Sequence, residues 1–256
     1  MQRLPDGGLI YTYAEKNVLR VAADLRALGH KVEAYYGEVD AKDKRLLETR
    51  WHNNEFKALV CTSALGMGID KKDVPFVFNV GIQPSVADYF QEAGRAGRNG
   101  QRSIAVLIPD LRADKNLVKR QPTFDLPDKR DLDLLFETVR NNRYPMKVED
   151  IVEVSKTDHK APTKVLKLLA SQNAVEETED GWYCIDDKWT FDSAKHEAII
   201  AYRAVEIDKM LRYTTTKTCL EHYLRENLGD TPDKEKPCGR CSNCTGELPN
   251  ELKFDY

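Results

Sequence analysis

No apolar stretch in this 256-residue chain approaches the roughly 20 residues needed to cross a bilayer, so a membrane-spanning helix is not expected. An excess of charge is missing too. Lys and Arg number 39 against 42 Asp and Glu, a formal net charge of −3, so any basic footprint for a polyanion has to be local. Internal repeats and low-complexity tracts are absent, and Met1 to Asp6 contain no signal-peptide core, which leads to the expectation of a soluble intracellular protein. Disorder is excluded for most of the chain, because runs such as Ala58-Leu59-Val60-Cys61 and Ile104-Ala105-Val106-Leu107-Ile108 are too apolar to remain in water. Disulfides are not implied by the six cysteines. Cys61 and Cys184 are isolated, whereas Cys219, Cys238, Cys241 and Cys244 have metal-ligand spacing.

Residues 8 to 110 alternate between strand and helix patterns. Gly8 to Tyr13 is a short apolar run, and Val18, Ala22, Leu25 and Leu28 then recur at helical spacing before Gly29. A strand over 31–35 leads to a helix opened by Asp40 with Leu46 and Leu47 on its buried side. Strands over 57–61, 74–79 and 103–108 follow, with a helix beginning near Ser85, where Asp88 completes a capping-box-like start. Branched apolar strands alternating with helices predict an α/β fold, a mostly parallel sheet covered on both faces.

Residues 113–130 form a connector with Pro122 and Pro127. In 131–190, Leu132, Leu135, Phe136 and Val139 mark one amphipathic helix, Val148, Ile151 and Val152 a second, and Pro162 opens a third containing Val165, Leu166 and Leu169. Ala174 to Ile185 reads as two strands around an Asp180-Gly181 turn. Three helices and a hairpin in this order resemble a winged helix; a small α+β packing unit is the plainer alternative. A long helix from Asp192 to about Tyr213 carries Ile200, Ala204, Ile207 and Leu211 on one side and Ile199, Tyr202 and Met210 on another, the pattern of a helix wedged between two domains.

Chemistry is densest in Gln91-Glu92-Ala93-Gly94-Arg95-Ala96-Gly97-Arg98. Arg95 and Arg98, three residues apart on a helix, share a face, and the small residues around them admit close approach to the backbone. The planar donor fork of arginine suits phosphate oxygens. Cys219-x18-Cys238-x2-Cys241-x2-Cys244 supplies four soft ligands suited to tetrahedral zinc, with no position left for water, so the site is read as structural. Lys234, Lys236 and Arg240 are near enough in sequence to offset the negative charge, and His222 is read as a packing or surface residue. Lys156, Lys160, Lys164 and Lys167 against Asp158 leave a local charge of 4 − 1 = +3, either a DNA contact or a solvated face.

The stretch Gln91 to Arg98 resembles the sixth motif of superfamily 2 helicases, and Thr62-Ser63-Ala64-Leu65-Gly66-Met67-Gly68-Ile69-Asp70 resembles the fifth in its RecQ form. The resemblance covers residues 8 to about 110 and implies a second RecA-like lobe over 1–112. It implies that Arg95 and Arg98 are arginine fingers for ATP held with Mg²⁺ on another lobe, and that Gln91 couples that site to DNA. Gly68, Asp70 and Gly94 would lie near nucleotide, and Thr62 and Ser63 would meet single-strand phosphates. Residues 191–247 resemble the brace helix and zinc module of RecQ helicases, leaving 248–256 as a tail.

Two departures stand out. The winged-helix-like unit precedes the zinc module rather than following it. The sequence also has no G-x-x-x-x-G-K-[ST] loop and no D-E-x-H pair, so the first helicase lobe is expected in cis or in trans. The reading is the C-terminal half of a RecQ-like ATP-dependent 3′–5′ DNA helicase, cytoplasmic or nucleoid or nuclear, acting at single-strand/duplex junctions and inactive alone as an ATPase. The alternatives are a non-catalytic DNA-binding or regulatory protein and an interaction subunit acting in trans.

Overall fold

The computed structural model describes residues 1, 3–66, 71–110, 114, 118–119, 121–123, 126–157, 161–233 and 235–253. The chain divides into two compact units, one made of Met1–Pro122 with Tyr202–Tyr256, the other of Thr123–Ala201. Among the described residues no helix is long and apolar enough to cross a membrane.

The first unit is built on strands β1 (Gly8–Thr12), β2 (Val32–Tyr35), β3 (Ala58–Cys61), β4 (Phe76–Val80) and β5 (Ile104–Ile108), all parallel in the order β2-β3-β1-β4-β5. β1 is central and buried along its whole length, because its two sets of side chains enter different cores. Ile10 joins Val60 and Phe78 on one face with Val18 and Ala22 of α1 (Glu15–Ala27). Leu9 and Tyr11 join Leu59, Cys61 and Val77 on the other with Trp51 of α2 (Ala41–His52). Burial on both faces accounts for near-continuous apolar runs rather than alternation. Asp40 caps α2 by accepting from the Lys42 amide, and the Trp51 indole donates to the carbonyls of Gly7 and Gly8 at 3.0 and 3.1 Å.

Three sequence expectations shift. Leu46 is exposed; α2 buries Trp51 instead, with Leu47 half-buried against the same cluster. Leu28 is exposed because α1 ends at Ala27. β4 begins at Phe76 rather than at 74, after Pro75, which has no amide to donate to a ladder.

The second unit packs α4 (Lys129–Arg140), α5 (Val148–Ser155) and α6 (Pro162–Ser171) with the antiparallel pair β6 (Val175–Thr178) and β7 (Gly181–Cys184). Its core holds Leu132, Leu135, Phe136, Val139, Ile151, Val165, Leu166, Leu169 and Trp182. Met146 exchanges backbone hydrogen bonds with Trp182 at 2.9 and 2.8 Å, adding a third extended segment beside β7. Thr178 faces Gly181, so the turn is made by Glu179 and Asp180, not by Asp180 and Gly181. Gly181 instead opens β7 at φ +132°, where a Cβ would lie 2.4 Å from the Met146 carbonyl oxygen.

Helix α7 (Ser193–Thr215) differs from the two-sided helix expected. It buries Glu206, Ile207, Met210 and Tyr213, but Ile199, Tyr202 and Ala204 are exposed. In the first unit Ile207, Met210 and Tyr213 pack with Val86 and Tyr89 of α3 (Val86–Ala93). Helices α8 (Leu220–Asn227) and α9 (Ser242–Thr245) complete the fold.

A Cβ at Gly8 would meet the Phe76 ring at 2.2 Å in the middle of the sheet. Gly8→Ala is therefore expected to cost about 1–3 kcal/mol, the usual penalty of overpacking a core. Chemical denaturation checks this, and an unchanged midpoint would show that the ring can move aside.

Candidate nucleotide-facing and zinc sites

Helix α3 starts cleanly: the Ser85 hydroxyl oxygen accepts from the Asp88 amide at 3.0 Å. It ends at Ala93, and Arg95 and Arg98 therefore lie in the turns that follow rather than on one helical face, a correction to the sequence expectation. Gly97 explains the departure. It has φ +68°, where a side chain would be strained, and its amide donates to the Val74 carbonyl at 3.0 Å. The turn is thereby tied to the segment entering β4. Arg95 is half-buried, with its Nε fully enclosed. Arg98 is exposed, and its Nε donates to the Gly94 carbonyl at 3.3 Å. Gln91 and Gly94 are also exposed. The arrangement presents two guanidinium groups from one short turn, one half-buried and one exposed, a donor set suited to an anion.

Thr62 and Ser63 leave the carboxyl end of β3 and enter a 3-10 turn over Ser63–Gly66, Thr62 half-buried and Ser63 exposed. Gly68 and Asp70 lie outside the described residues. Cys61, just before, is wholly buried, and desolvation holds its thiol well above the ordinary range, as suits an inert core residue.

Sequence reading assigned no role to Glu92 or Asn79. Both are buried. Asn79 Nδ2 donates to the Glu92 carboxylate at 2.5 Å, and burial pushes the Glu92 carboxyl up to about 8 against the opposing effects of that hydrogen bond and of Arg95. A signal was available: Val86, Tyr89 and Glu92 recur at helical spacing, which puts a carboxyl on the core-facing stripe.

The second site is the cysteine group. The Sγ atoms of Cys219, Cys238, Cys241 and Cys244 all lie within 4.8 Å of one another, with Cys238 to Cys244 at 3.9 Å and Cys241 to Cys244 at 3.4 Å. Zinc–sulfur bonds of about 2.3 Å in a tetrahedron require sulfur separations of about 3.8 Å, so this donor set fits zinc. Amides point at the sulfurs: Leu220 donates to Cys241 and Cys241 to Cys238, each at 3.4 Å. Burial raises the Cys241 thiol, but hydrogen bonds from the Leu220 and Cys244 amides and the neighbouring cysteines outweigh it, bringing it to about 6, while the same sharing between sulfurs pushes Cys244 up to about 12. A thiolate, the ligating form, is thus favoured at Cys241. Arg240 ion-pairs with Glu221 at 2.7 Å while remaining close enough to feel Cys238 and Cys219. Lys236 pairs with Asp233 at 3.3 Å, and Lys234 lies outside the described residues. His222 is buried in α8 and is not among the grouped ligands.

In the second unit, Lys164 and Lys167 are exposed on α6, and Lys156 is exposed at the left-handed residue closing α5. Lys160 lies outside the described residues. Trp182 is a core residue. The hairpin displays Glu176, Glu177, Glu179 and Asp180, all exposed, so its tip is acidic while the lysines come from α5 and α6.

Residues 4–100 match the family model described as helicase conserved C-terminal domain, and residues 183–245 match the RecQ zinc-binding model. ATP-dependent DNA helicase Q1 of Pongo abelii is 39% identical over 100 residues, 39% of this chain and 15% of that protein. ATP-dependent DNA helicase Q-like 4B of Arabidopsis thaliana is 40% identical over 100 residues, 39% of this chain and 9% of that protein. ATP-dependent DNA helicase RecQ of Synechocystis sp. is 27% identical over 256 residues, covering 95% of this chain and 50% of that protein. The matched stretches thus span half or less of these relatives.

One zinc ion per chain is the expected result of metal analysis on reduced protein, falling towards zero when Cys238 and Cys241 are both replaced by serine. Because structural zinc is coupled to folding, chelation should melt the segment from Cys219 to Thr245 while residues 8–110 keep their ellipticity. A chain that folds fully without metal would refute the assignment.

Proposed function

The chain carries a helicase C-terminal domain and a RecQ zinc-binding domain, and from that premise we propose that it works as the C-terminal part of a RecQ-like ATP-dependent 3′–5′ DNA helicase. The observation that carries this reading is the presence in one chain of the paired arginines, Arg95 and Arg98, and of four converging cysteine sulfurs. ATP and Mg²⁺ would be held by a first lobe. When both are present, Arg95 and Arg98 bind the phosphates and stabilise charge that spreads over the transferring group. Gln91, on the exposed side of α3, couples that site to DNA, and Gly94 leaves the backbone open beside it. Gly68 and Asp70 belong to the same nucleotide-facing set. Thr62 and Ser63 hold the single strand by its phosphates through hydroxyl or amide donors.

Zinc would be held by Cys219, Cys238, Cys241 and Cys244 in a structural role. The support for a role beyond local folding is a continuous aromatic path in the first unit. Tyr223 of α8 packs on Tyr213 of α7 with ring centroids 5.7 Å apart, and Tyr213 packs on Tyr89 of α3 at 5.3 Å. The Tyr223 hydroxyl also donates to the Lys209 carbonyl at 2.7 Å. Metal binding thereby steadies the helix that leads into the arginine turn. Residues 131–190 are read as a winged-helix-like unit, with the lysines and not the acidic hairpin tip facing the DNA of a single-strand/duplex junction. The protein is then intracellular, wherever its DNA is.

The chain alone is expected to show no DNA-stimulated ATPase. Joined to a first lobe, Arg95→Ala or Arg98→Ala should lower turnover by about 10³-fold or more, the scale of an arginine finger, with an unchanged circular dichroism spectrum. Near-parental turnover in both variants would make them surface residues.

Replacing Lys156, Lys160, Lys164 and Lys167 together by alanine should weaken DNA binding and flatten its salt dependence, since fewer counterions are released. Affinities measured at several salt concentrations test this; an unchanged slope would assign the lysines to solvent.

A further inference from the structure

The second unit holds an aromatic loop to which neither the sequence motifs nor the two sites give a role. Between α4 and α5 the chain reads Arg140-Asn141-Asn142-Arg143-Tyr144-Pro145-Met146-Lys147, three cations and no carboxylate. The unit around it is acidic, with a formal charge of 11 − 17 = −6 over residues 123–201. The Tyr144 ring is 69% exposed. One exposed aromatic is ordinary on a protein surface, but this one is held in place. The Asn141 and Asn142 amides donate to the Glu137 and Val139 carbonyls at 3.0 and 3.2 Å, closing α4. On the other side Met146 is buried and exchanges backbone bonds with Trp182 at 2.9 and 2.8 Å. Between these anchors Pro145 has a fixed φ, and the Tyr144 amide donates to Asn142 Oδ1 at 3.4 Å. The ring thus stands in water on a short arch tied at both ends, which reduces the ordering cost of binding to it.

The three cations are used differently. Arg140 pairs with Glu137, and Lys147 Nζ donates to the Glu179 carbonyl at 2.6 Å. Arg143 is exposed and pairs with no carboxylate among the described residues. We propose that Tyr144 is a stacking platform for an unpaired nucleobase, with Arg143 on the adjoining phosphate, so that the ligand is single-stranded nucleic acid. Every base has a face that can lie on an aromatic ring, and such contacts tolerate any sequence. Glu179 and Asp180, exposed in the turn that Lys147 reaches, oppose a densely charged duplex, whereas stacking draws on the base and not on charge. Tyr and Arg also anchor protein interfaces, but those need an apolar core around the anchor. Within the loop, Pro145 is the only other exposed apolar residue. This contact deepens the function proposed above and rests on it, adding a base contact to a unit there given phosphate contacts alone.

Binding of a labelled oligothymidylate to the whole chain tests this. Tyr144→Ala should raise Kd about 5- to 150-fold, the range of one base–aromatic stack. Tyr144→Leu, which keeps bulk without a ring, should match it, and Tyr144→Phe should stay close to parental. Arg143→Ala should lower the slope of log affinity against log salt by about 0.7, one single-strand phosphate. An abasic oligomer of equal length keeps the phosphates and removes the bases; the parent should prefer oligothymidylate to it, and Tyr144→Ala should lose much of that preference. Tyr144 lies outside the core of its unit, so the variants should share the parental denaturation midpoint. Independently of any variant, irradiating the parent with an oligomer carrying 5-iodouracil should place the cross-link on Tyr144. Parental affinity in Tyr144→Ala and Tyr144→Leu, with the cross-link elsewhere, would overturn the stacking contact and leave the helicase reading standing. A parent that binds no single strand, alone or joined to a first lobe, would instead overturn that reading and this inference with it.

Discussion

Burial of β1 on both faces is the constraint from which the rest of the first unit follows. Its five residues are all buried, so β3 and β4 must flank it and helices must cover each side. The carboxyl ends of these strands then come together, and the residues there are the ones with chemistry: Thr62 and Ser63 after β3, Asn79 near the end of β4. The arginine turn is drawn to the same sheet by the Gly97 amide on the Val74 carbonyl and by the link from Asn79 to Glu92. The placement of this turn is thus a by-product of sheet order as much as of its own sequence.

The zinc module stands on a different footing. Helices α8 and α9 have eight and four residues, too short to persist in water without tertiary support. The only group buried in α8 is His222, and α9 buries none. Leu220, Tyr223 and Leu224 pack against the cluster of Ile207, Met210 and Tyr213, and the grouped cysteines, with the Leu220 and Cys241 amides aimed at their sulfurs, would let a bound metal add to that support. The aromatic stack of Tyr223, Tyr213 and Tyr89 connects this module to the sheet unit.

Much of this was legible in the residues, and the failures have physical causes. Strands buried on both faces announce themselves as apolar runs, and caps such as Asp40 and Ser85 are chemical signals, so the sheet and its helices were readable. Arg95 and Arg98 were misplaced on a helix because three-residue spacing reports a shared face only where the backbone stays helical, and Gly97 at φ +68° leaves that conformation. Leu46 was misassigned because two adjacent leucines cannot both face the core, and the larger Trp51 claims it. The hairpin turn slipped by one residue since Asp-Gly imitates a turn signal, whereas Gly181 is required for its close approach to Met146. In α7 the apolar residues at its start point outward, a matter of neighbours rather than of periodicity. The cysteines were legible at once, because two-residue spacings place sulfurs within reach of one ion whatever the surrounding fold.

The most direct test of the account is a structure of this chain with a first helicase lobe and a non-hydrolysable ATP analogue. The account predicts the Arg95 and Arg98 guanidinium groups within about 2.7–2.9 Å of phosphate oxygens, the range of charge-assisted hydrogen bonds. Both arginines turned away from the nucleotide, with the lobes closed around it, would contradict it.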